Sequence, residues 1–594
     1  MSMYKVSSPV TGTRFRLGRD TWWVAILVAV VLCAVLVWVA ATLSGLVTSG
    51  HPAHVSWRDA AAGLVGIARH PGSPASAFPL GSGVGGPVAF WTVLLALGVG
   101  TTAGLWWLWG WWMRYRTEGT DGMATKAQLL EAMGERQALS RVRSLRPALA
   151  KEGGPVDVHE VAVFCGTAQP AGVGLWATIE ESVLMVAPPR AGKTQQFILP
   201  SILSFPGSVL ATSSKVDVLY STATLREKYG TVWALDPTGL SGWPHQLAWP
   251  LTAGCESYQV ARKRAETLSK TTKSEEGTKN GGYFTLNAQS LLTCWLHAAA
   301  LGKRPPMSLL KWATRPENRE AIQILAEHGR ADLAQELGSQ HDAAPEERSA
   351  TWRTASQSLV ALYDHKVARI FAPDDGGNFD IGTWLRDGGT VFLVGEDEEG
   401  SALAPLMSCF AQAVFDTAKV IAARQPNGRL PRPLGIFGDE IANVAPLPQI
   451  PALMSVSGSQ NIFVVAVLQS YAQAQERWGE LGVRKMFGAS TVKILLGGIS
   501  DETELKAYSA LAGEYDEDTE SISDSESGTS VSVSTRRSSV LEPAQIRMLK
   551  PGEGLVIHRQ TPATRAKFVR AFEGPMAAEI EAANRAALEM VNHA

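Results

Sequence analysis

The chain has 594 residues, of which 45% are apolar and 19% charged, so it is long enough for two to four domains and is neither disordered nor fibrous. The formal net charge of −2 gives no global electrostatic signal for a nucleic-acid partner, although a local basic channel fits within such a total. The five cysteines are far apart without zinc-ligand spacing, which indicates reduced thiols in a cytosolic setting.

Two long uncharged segments near the N-terminus predict transmembrane helices. Residues 21–50 and 90–113 contain no Asp, Glu, Lys or Arg, and each exceeds the roughly 20 apolar residues that cross a bilayer. Tryptophans stand near the segment ends, as is typical of membrane interfaces. We predict a transmembrane region over 21–116, with helices at about 21–46 and 88–113. A cleaved signal peptide is the alternative for the first segment, but that segment is long for one and a second segment follows.

Basic residues flank the two segments and predict the topology. Short flanks rich in Lys and Arg stay in the cytoplasm under the positive-inside rule. We therefore predict a two-pass protein of the cell (inner or plasma) membrane, with a cytoplasmic N-terminus over 1–20, a short extracytoplasmic loop and a cytoplasmic C-terminus. The flanking residues are Lys5, Arg14, Arg16, Arg19, Arg114 and Arg116.

Beyond the second segment, short apolar runs alternate with helical patterns, which is the signature of a parallel sheet with crossover helices. Most of the runs are apolar throughout, as expected for strands buried on both faces. We predict an α/β nucleotide-binding domain in two parts, 117–302 and 376–574. The predicted strands are 182–187, 208–212, 232–235, 390–394, 434–437, 462–468 and 492–496.

Three segments depart from this pattern. Strand signals vanish over 303–375, where helical spacing predicts an all-α insertion domain. The segment 515–539 is Ser-rich and acidic, which predicts a mobile surface loop, with a marginal edge strand at 530–534 as the alternative. The last segment, 575–594, is predicted to be a C-terminal helix.

The sequence APPRAGKT at 187–194 lies between a predicted strand and a predicted helix, as a phosphate-binding loop does. Gly192 would bring backbone amides to the phosphates, Lys193 would bind the β and γ phosphates, and Thr194 would ligate Mg²⁺. Ala187 replaces the usual first glycine, which the loop tolerates if that residue keeps a negative φ. The alternative is a turn with an incidental Gly-Lys-Thr. The predicted nucleotide-binding residues are Pro189, Arg190, Ala191, Gly192, Lys193, Thr194 and Gln195.

Two other predicted strands end in groups that nucleotide hydrolysis requires. Asp439 is placed to hold hydrated Mg²⁺, and Glu440 to orient and polarise the attacking water. Gln469 ends a later strand and is placed to sense the γ-phosphate. Each alone is equally typical of a solvated strand end. Together with the loop they predict ATP and Mg²⁺ binding, with catalytic residues Lys193, Glu440 and Gln469 and metal ligands Thr194 and Asp439.

The order of these segments resembles the type IV secretion coupling proteins, the TraG/TraD-like family. The most specific parts are GDEIANVAPLPQIPAL at 438–453 and LQSYAQ at 468–473. The resemblance implies a RecA-like P-loop NTPase domain with an all-α insertion, preceded by two transmembrane helices. It also implies a homo-hexameric, membrane-anchored ATPase. Such a protein recruits single-stranded DNA with its relaxase and drives the DNA toward a type IV secretion channel during conjugation.

The sequence departs from the family's pattern in two places. Lys215 and Asp217 stand where members often have Asp-Pro-Lys-Gly-Glu, so their role stays open. Members often carry an arginine just before the glutamine strand, able to reach a neighbour's nucleotide, whereas 455–460 (SVSGSQ) has no cation. The nearest cations are Arg477, Arg484 and Lys485, and a solvated helix face explains each of them.

Two other functions compete with the coupling-protein interpretation. An FtsK- or HerA-like DNA translocase shares the ATPase core, but no winged-helix tail is recognisable after the last strand. A docking platform for secreted proteins would bind nucleotide without hydrolysing it. The near-neutral charge keeps that interpretation open, because DNA binding normally rests on Lys and Arg.

Overall fold

The computed structural model describes residues 21–116, 122–272, 281–395, 403–525 and 528–593. The chain divides into two compact units, Met1–Thr117 and Glu118–Ala594. The predicted cytoplasmic N-terminus, with Lys5, Arg14, Arg16 and Arg19, lies outside the described residues.

The first unit contains two long apolar helices and a connection that includes one shorter helix. Helices α1 (Thr21–Ser49) and α3 (Pro87–Arg116) are joined by α2 (Trp57–Arg69) and a 3₁₀ turn at Pro74–Ala77. The parts of α1 and α3 that are long and apolar enough to cross a membrane are Val30–Ser49 and Pro87–Trp109. Many apolar side chains on both helices are exposed, including Val47 and Trp106, as a lipid environment would require.

The second unit is built on an 11-stranded sheet with the order β2-β1-β13-β12-β9-β3-β8-β7-β4-β6-β5, and β10 and β11 form a separate two-stranded sheet. All seven predicted strands are present, as β3 to β9, and they are the parallel part of the sheet. The strands are β1 (Ala162–Gln169), β2 (Gly174–Thr178), β3 (Ser182–Val186), β4 (Ser208–Ser213), β5 (Val232–Leu235), β6 (Thr390–Val394), β7 (Leu434–Gly438), β8 (Ile462–Leu468), β9 (Val492–Leu496), β10 (Glu514–Ser525), β11 (Gly528–Ser539), β12 (Glu553–His558) and β13 (Thr561–Lys567).

Helices cover both faces of the parallel strands. Because successive side chains of a strand point to opposite faces of the sheet, the core consists of one cluster of side chains on each face. Leu184 and Val186 of β3 belong to one cluster of buried side chains, whereas Val183 and Met185 belong to the other. Continuous apolar strands follow from this two-sided burial. The helices of this unit are α4 (Lys126–Met133), α5 (Glu135–Ser140), α6 (Val142–Leu145), α7 (Pro147–Glu152), α8 (Leu199–Ser204), α9 (Asp217–Arg226), α10 (Tyr258–Thr271), α11 (Gly281–Leu301), α12 (Met307–Thr314), α13 (Glu320–Glu327), α14 (Ala331–His341), α15 (Pro345–Gln357), α16 (His365–Phe371), α17 (Ile381–Asp387), α18 (Leu403–Ala423), α19 (Ile441–Val444), α20 (Ile450–Val456), α21 (Tyr471–Ala489), α22 (Glu502–Ala512), α23 (Pro543–Arg547) and α24 (Ala577–His593).

The all-α insertion lies between β5 and β6 and is longer than the sequence predicts. It begins at α10, ahead of residue 303, and α11 packs against the later helices α13 and α15. Helix α11 is apolar over most of its length, so its sequence has no helical period that would mark it as part of the insertion.

Helix α18 is a third helix that is long and apolar enough to cross a membrane. Residues such as Leu406 and Phe410 are completely buried in the second unit, so the core of that unit accounts for the apolar character of α18.

The prediction of a mobile loop over 515–539 is wrong, because β10 and β11 form an antiparallel hairpin there. The alternative, a strand at 530–534, lies within β11. Their register runs from the pair Glu514 and Ser539 to the pair Ser525 and Gly528. Valine and threonine in β11 favour extended backbone, and the register places Asp516 opposite Arg537. The acidic composition dominated the prediction, whereas strand pairing decides the structure.

Candidate functional site

The candidate site lies at the carboxyl-terminal edge of the parallel strands. The phosphate-loop sequence follows β3. The neighbouring strands β8, β7 and β4 are parallel to β3, so the residues that follow them lie at the same edge of the sheet. In open α/β sheets this edge is where ligands bind.

The loop after β3 has the backbone that a phosphate-binding loop needs. Arg190 and Gly192 have positive φ values of 64° and 90°, whereas Ala187 does not, so the condition placed on Ala187 is met. Ala187 N–H donates to the Leu468 carbonyl at 3.0 Å, which ties the loop to β8. The φ of Gly192 lies in a region that side-chain-bearing residues rarely adopt, so this position favours glycine. Pro189, Arg190 and Gln195 are exposed on the loop.

The loop contacts the two carboxylates that follow β7. The Lys193 ammonium donates to Glu440 Oε1 at 3.0 Å, and Thr194 Oγ1 donates to Asp439 Oδ2 at 2.8 Å. Lys193 and Asp439 are both buried. Two sequence segments about 245 residues apart are thus joined by two polar contacts.

Asp439 has the properties of a metal ligand. Burial raises the pKa of this carboxyl to about 6, although the Lys193 ammonium and the Thr194 hydrogen bond oppose that rise. Its second oxygen, Oδ1, is buried and has no hydrogen-bond partner among the described residues. A buried unpaired carboxylate oxygen beside a threonine hydroxyl fits Mg²⁺, which binds through one or two protein oxygens and keeps several waters.

Glu440 is held in an ionised form and in an unusual backbone conformation. Burial raises the pKa of its carboxyl, but hydrogen bonds from Ser214, Lys193 and Gln469 and the Lys193 charge outweigh burial and lower the pKa. Ser214 Oγ donates to Oε2 at 2.7 Å. The φ of 55° is rare for a side-chain-bearing residue and is characteristic of functional sites.

The predicted residues Lys193, Thr194, Asp439, Glu440 and Gln469 are therefore brought together in one site. The sequence analysis missed the role of three polar residues. Ser214 contacts Glu440, Gln196 is buried beneath the loop, and Asn443 accepts a hydrogen bond from Gln473 of α21 at 2.8 Å. Only Ser214 carries a sequence signal that could have found it, because it is a polar residue just beyond the end of a buried strand, β4.

Other sequence candidates lie apart from this contact network. Lys215 is exposed, and Asp217 begins α9 close enough to Asp439 for its charge to raise the pKa of that carboxyl. Asp236, the polar residue that follows β5, is a structural residue, because its carboxylate accepts hydrogen bonds from Thr238, Gly239 and Ser241 of its own turn.

The segment 455–460 contains no cation, but one lies beside it in space. Arg429 donates to the Gly458 carbonyl and to Asn461 Oδ1, both at 3.2 Å, and it pairs with Glu180. Arg484 is on the exposed side of α21 and pairs with Glu480 at 2.6 Å, one turn earlier.

Comparisons with known proteins identify relatives of this chain. Residues 433–551 match a family model described as the TraM recognition site of TraD and TraG. The VirD4 proteins of Rhizobium rhizogenes and Agrobacterium fabrum (strain C58 / ATCC 33970) are 24% and 23% identical over 429 residues. Each alignment covers 70% of this chain and 62% of the relative, so the chain matches less than two thirds of their length.

Solved structures of a bacterial conjugative coupling protein, TrwB, share the fold. An unbound form, TrwBdeltaN70, superimposes with a TM-score of 0.53 at 18% identity, covering 69% of this chain and 91% of that chain. TrwB in complex with a non-hydrolysable ATP analogue gives a TM-score of 0.52 at 18% identity, covering 72% and 92%. These findings confirm the resemblance to the type IV secretion coupling proteins and the RecA-like fold with its all-α insertion.

Proposed function

We propose that this relative of the type IV secretion coupling proteins is a membrane-anchored ATPase. It binds a DNA–protein substrate at a type IV secretion channel and drives conjugative transfer of single-stranded DNA by hydrolysing ATP. The observation that carries the proposal is the convergence of Lys193 and Thr194 with Glu440 and Asp439, at 3.0 and 2.8 Å. This constellation provides a phosphate-binding ammonium, a metal site and a base, which are the groups that phosphoryl transfer to water needs.

Each residue has a distinct part in binding. The backbone amides of the loop from Pro189 to Gln195 and the first turn of the following helix face the phosphates. Lys193 exchanges its contact with Glu440 for the β and γ phosphates of ATP. Thr194 and Asp439 would hold Mg²⁺, which when bound neutralises charge on the phosphate oxygens.

Hydrolysis follows from the ionised state of Glu440. A water oxygen attacks the γ-phosphorus, the bond from that phosphorus to the oxygen of ADP breaks, and Glu440 accepts the proton that the water loses. The products are ADP and inorganic phosphate. Gln469 lies close enough to Glu440 to lower the pKa of that carboxyl, so its amide is placed to orient the base and to respond to loss of the γ-phosphate.

The rest of the chain supports a role at a membrane. Val30–Ser49 and Pro87–Trp109 provide two spans that would anchor the protein in the cell membrane as a two-pass protein, with both termini in the cytoplasm. The match of residues 433–551 to a TraM recognition site supports a relaxosome partner, and the similarity to VirD4 supports a channel partner. We further propose that the chain assembles as a homo-hexamer.

The proposal is tested by the rate of phosphate release from ATP by the full chain in lipid nanodiscs, with and without single-stranded DNA. Wild type is compared with Lys193→Ala and with Lys506→Ala, which changes an exposed lysine of α22. We expect turnover that DNA stimulates, that K193A loses and that K506A retains.

Nucleotide binding without turnover, in an assembly that mass photometry shows to be hexameric, would instead favour the docking platform. Equal turnover by K193A and wild type would reject the site.

A further inference from the structure

The contact between Ser214 and Glu440 helps to keep that carboxylate ionised, and no step of the ATPase mechanism described above uses it in any other way. Both carboxylate oxygens of Glu440 accept a hydrogen bond: Oε1 from Lys193 at 3.0 Å and Oε2 from Ser214 at 2.7 Å. The phosphates of ATP compete for the lysine, because its ammonium is their principal ligand. A serine hydroxyl is a poor competitor for those phosphates, so the Ser214 contact persists when nucleotide binds.

Sheet register fixes the serine opposite the glutamate. Strands β4 and β7 are parallel neighbours in which Thr212 is paired with Gly438. Ser214 and Glu440 each lie two residues beyond this pair, just past the ends of β4 and β7. Thr212 Oγ1 also donates to the Asp439 carbonyl oxygen at 2.8 Å, and this buried contact locks the two strand ends together.

The hydrogen bond from Ser214 holds the Glu440 carboxylate in one orientation. It also occupies a lone pair on Oε2 that the attacking water would otherwise use. Glu440 lies between β7 and α19 with a left-handed backbone conformation. Its carboxylate is therefore oriented by its contacts with Lys193 and Ser214 rather than by a regular helix or strand.

We propose that Ser214 restrains Glu440 and thereby limits ATP turnover until the loop after β4 moves. This inference rests on the proposed ATPase function. Ser214 is a positioning residue, because it acts through Glu440 and contacts no reacting atom. The loop is accessible from outside, because Lys215, the next residue, is exposed, and no ion pair joins it to another described residue. An anionic polymer such as single-stranded DNA is the kind of ligand that an exposed cation at this place attracts.

The experiment compares wild type, Ser214→Ala, Ser214→Thr and Ser140→Ala as full chains in nanodiscs. Ser140 is exposed and bonds only to the Gln137 carbonyl of its own helix, so S140A is a matched control. Initial rates of phosphate release give kcat and KM with and without single-stranded DNA. Binding of a fluorescent non-hydrolysable ATP analogue provides a readout that does not depend on turnover.

We expect S214A to raise kcat without DNA about fivefold, the factor that corresponds to one hydrogen bond of about 1 kcal/mol. KM and analogue affinity should stay within twofold, and stimulation by DNA should shrink. S214T, which keeps the hydroxyl, should behave as wild type. The double variant S214A/E440Q should be as slow as E440Q, because the serine acts through the glutamate.

An unchanged or lower kcat of S214A without DNA would overturn the proposed restraint. An S214T variant that is as fast as S214A would overturn it as well. If S214A melts below the assay temperature, Ser214→Cys replaces it, because a thiol of similar size is a weaker donor. A wild type that binds the analogue but hydrolyses no ATP would overturn both this inference and the proposed function. A wild type that hydrolyses ATP beside an unaccelerated S214A would overturn the inference alone.

Discussion

Thr194 donates its hydroxyl hydrogen to one oxygen of Asp439 across 2.8 Å, while the other oxygen of that buried carboxylate has no hydrogen-bond partner among the described residues. The arrangement leaves one anionic oxygen free for a cation beside a second oxygen ligand. We therefore propose that the two residues would bind the same Mg²⁺ ion.

Replacing Asp439 with Asn should weaken the dependence of nucleotide binding on Mg²⁺. An amide oxygen carries no charge and binds Mg²⁺ poorly, so we expect the Mg²⁺ concentration for half-maximal analogue binding to rise by about 10-fold to 100-fold. Titration of MgCl₂ at fixed analogue concentration measures this. Asp416→Asn, which changes a carboxylate paired with Lys263 away from the site, is the control. An identical midpoint for D439N and wild type would show that Asp439 is not a ligand.

Replacing Glu440 with Gln should separate binding from chemistry. The amide keeps the size of the side chain but accepts no proton from the water, so turnover should fall by about 10²-fold to 10⁴-fold while ATP still binds. Loss of the ion pair frees Lys193, so analogue affinity should stay equal or increase. Phosphate release and analogue binding are measured side by side, with the exposed Glu480→Gln as control. Turnover by E440Q at the wild-type rate would exclude Glu440 as the base.

Arg226 should be the most sensitive buried charge of the second unit. It is completely buried and donates to the carbonyls of Ile202, Phe205 and Gly207 and to the Thr390 hydroxyl. Burial lowers the pKa of its guanidinium to about 9. Arg226→Ala leaves three buried carbonyls without donors, so we expect a loss of more than about 3 kcal/mol in the free energy of unfolding.

Urea unfolding monitored by circular dichroism measures the loss. Arg226→Lys should fall between wild type and alanine, because an ammonium has fewer donors and none in a fixed fork. Arg353→Ala, on the exposed side of α15, should stay within about 0.5 kcal/mol of wild type. A small effect of R226A would mean that water reaches the carbonyls.

The sequence predicted the parallel core and most of the site for the same physical reason. Strands buried on both faces are continuously apolar, and the residues at their ends stand out as polar, which made Asp439, Glu440 and Gln469 visible. The antiparallel strands β1 and β13 were missed because AVFCGTAQ and TPATRAK mix small and polar residues with few large apolar ones.

Contacts that depend on the order of strands in the sheet could not be predicted from local sequence patterns. Ser214 faces Glu440 only because β4 lies beside β7, and Arg429 reaches Gly458 only because the loop before β7 passes the start of β8. Neither neighbour relation is encoded in the spacing of those residues along the chain.

Glu504 should make stability depend on pH near neutrality. Burial raises the pKa of this carboxyl from 4.5 to about 7, and the charge of Asp501 adds to the rise, whereas a hydrogen bond from the Tyr471 backbone N–H opposes it. Its Oε1 has no hydrogen-bond partner among the described residues. The Tyr508 hydroxyl, also buried and unpaired among them, belongs to the same cluster.

The sign of the effect follows from proton linkage. The folded state binds the Glu504 proton more tightly than the unfolded state, so the folded state is favoured below pH 4.5 and loses this advantage as pH rises through about 7. The loss for a wild-type chain is at most about 3 kcal/mol, from roughly 1.4 kcal/mol per pKa unit. Glu504→Gln mimics the protonated side chain at every pH, so its stability relative to wild type should increase between pH 5 and pH 8.

Urea unfolding of the full chain in detergent at several pH values measures this difference. Glu581→Gln, at an exposed position of α24, is the matched control and should follow the wild-type curve throughout. Curves for E504Q and wild type that run parallel from pH 5 to pH 8 would show that Glu504 does not titrate in that range. Because Glu504 lies against Tyr471, two residues after Gln469, a growing difference would also show that the helix following the glutamine strand is packed on a carboxyl that titrates near neutral pH.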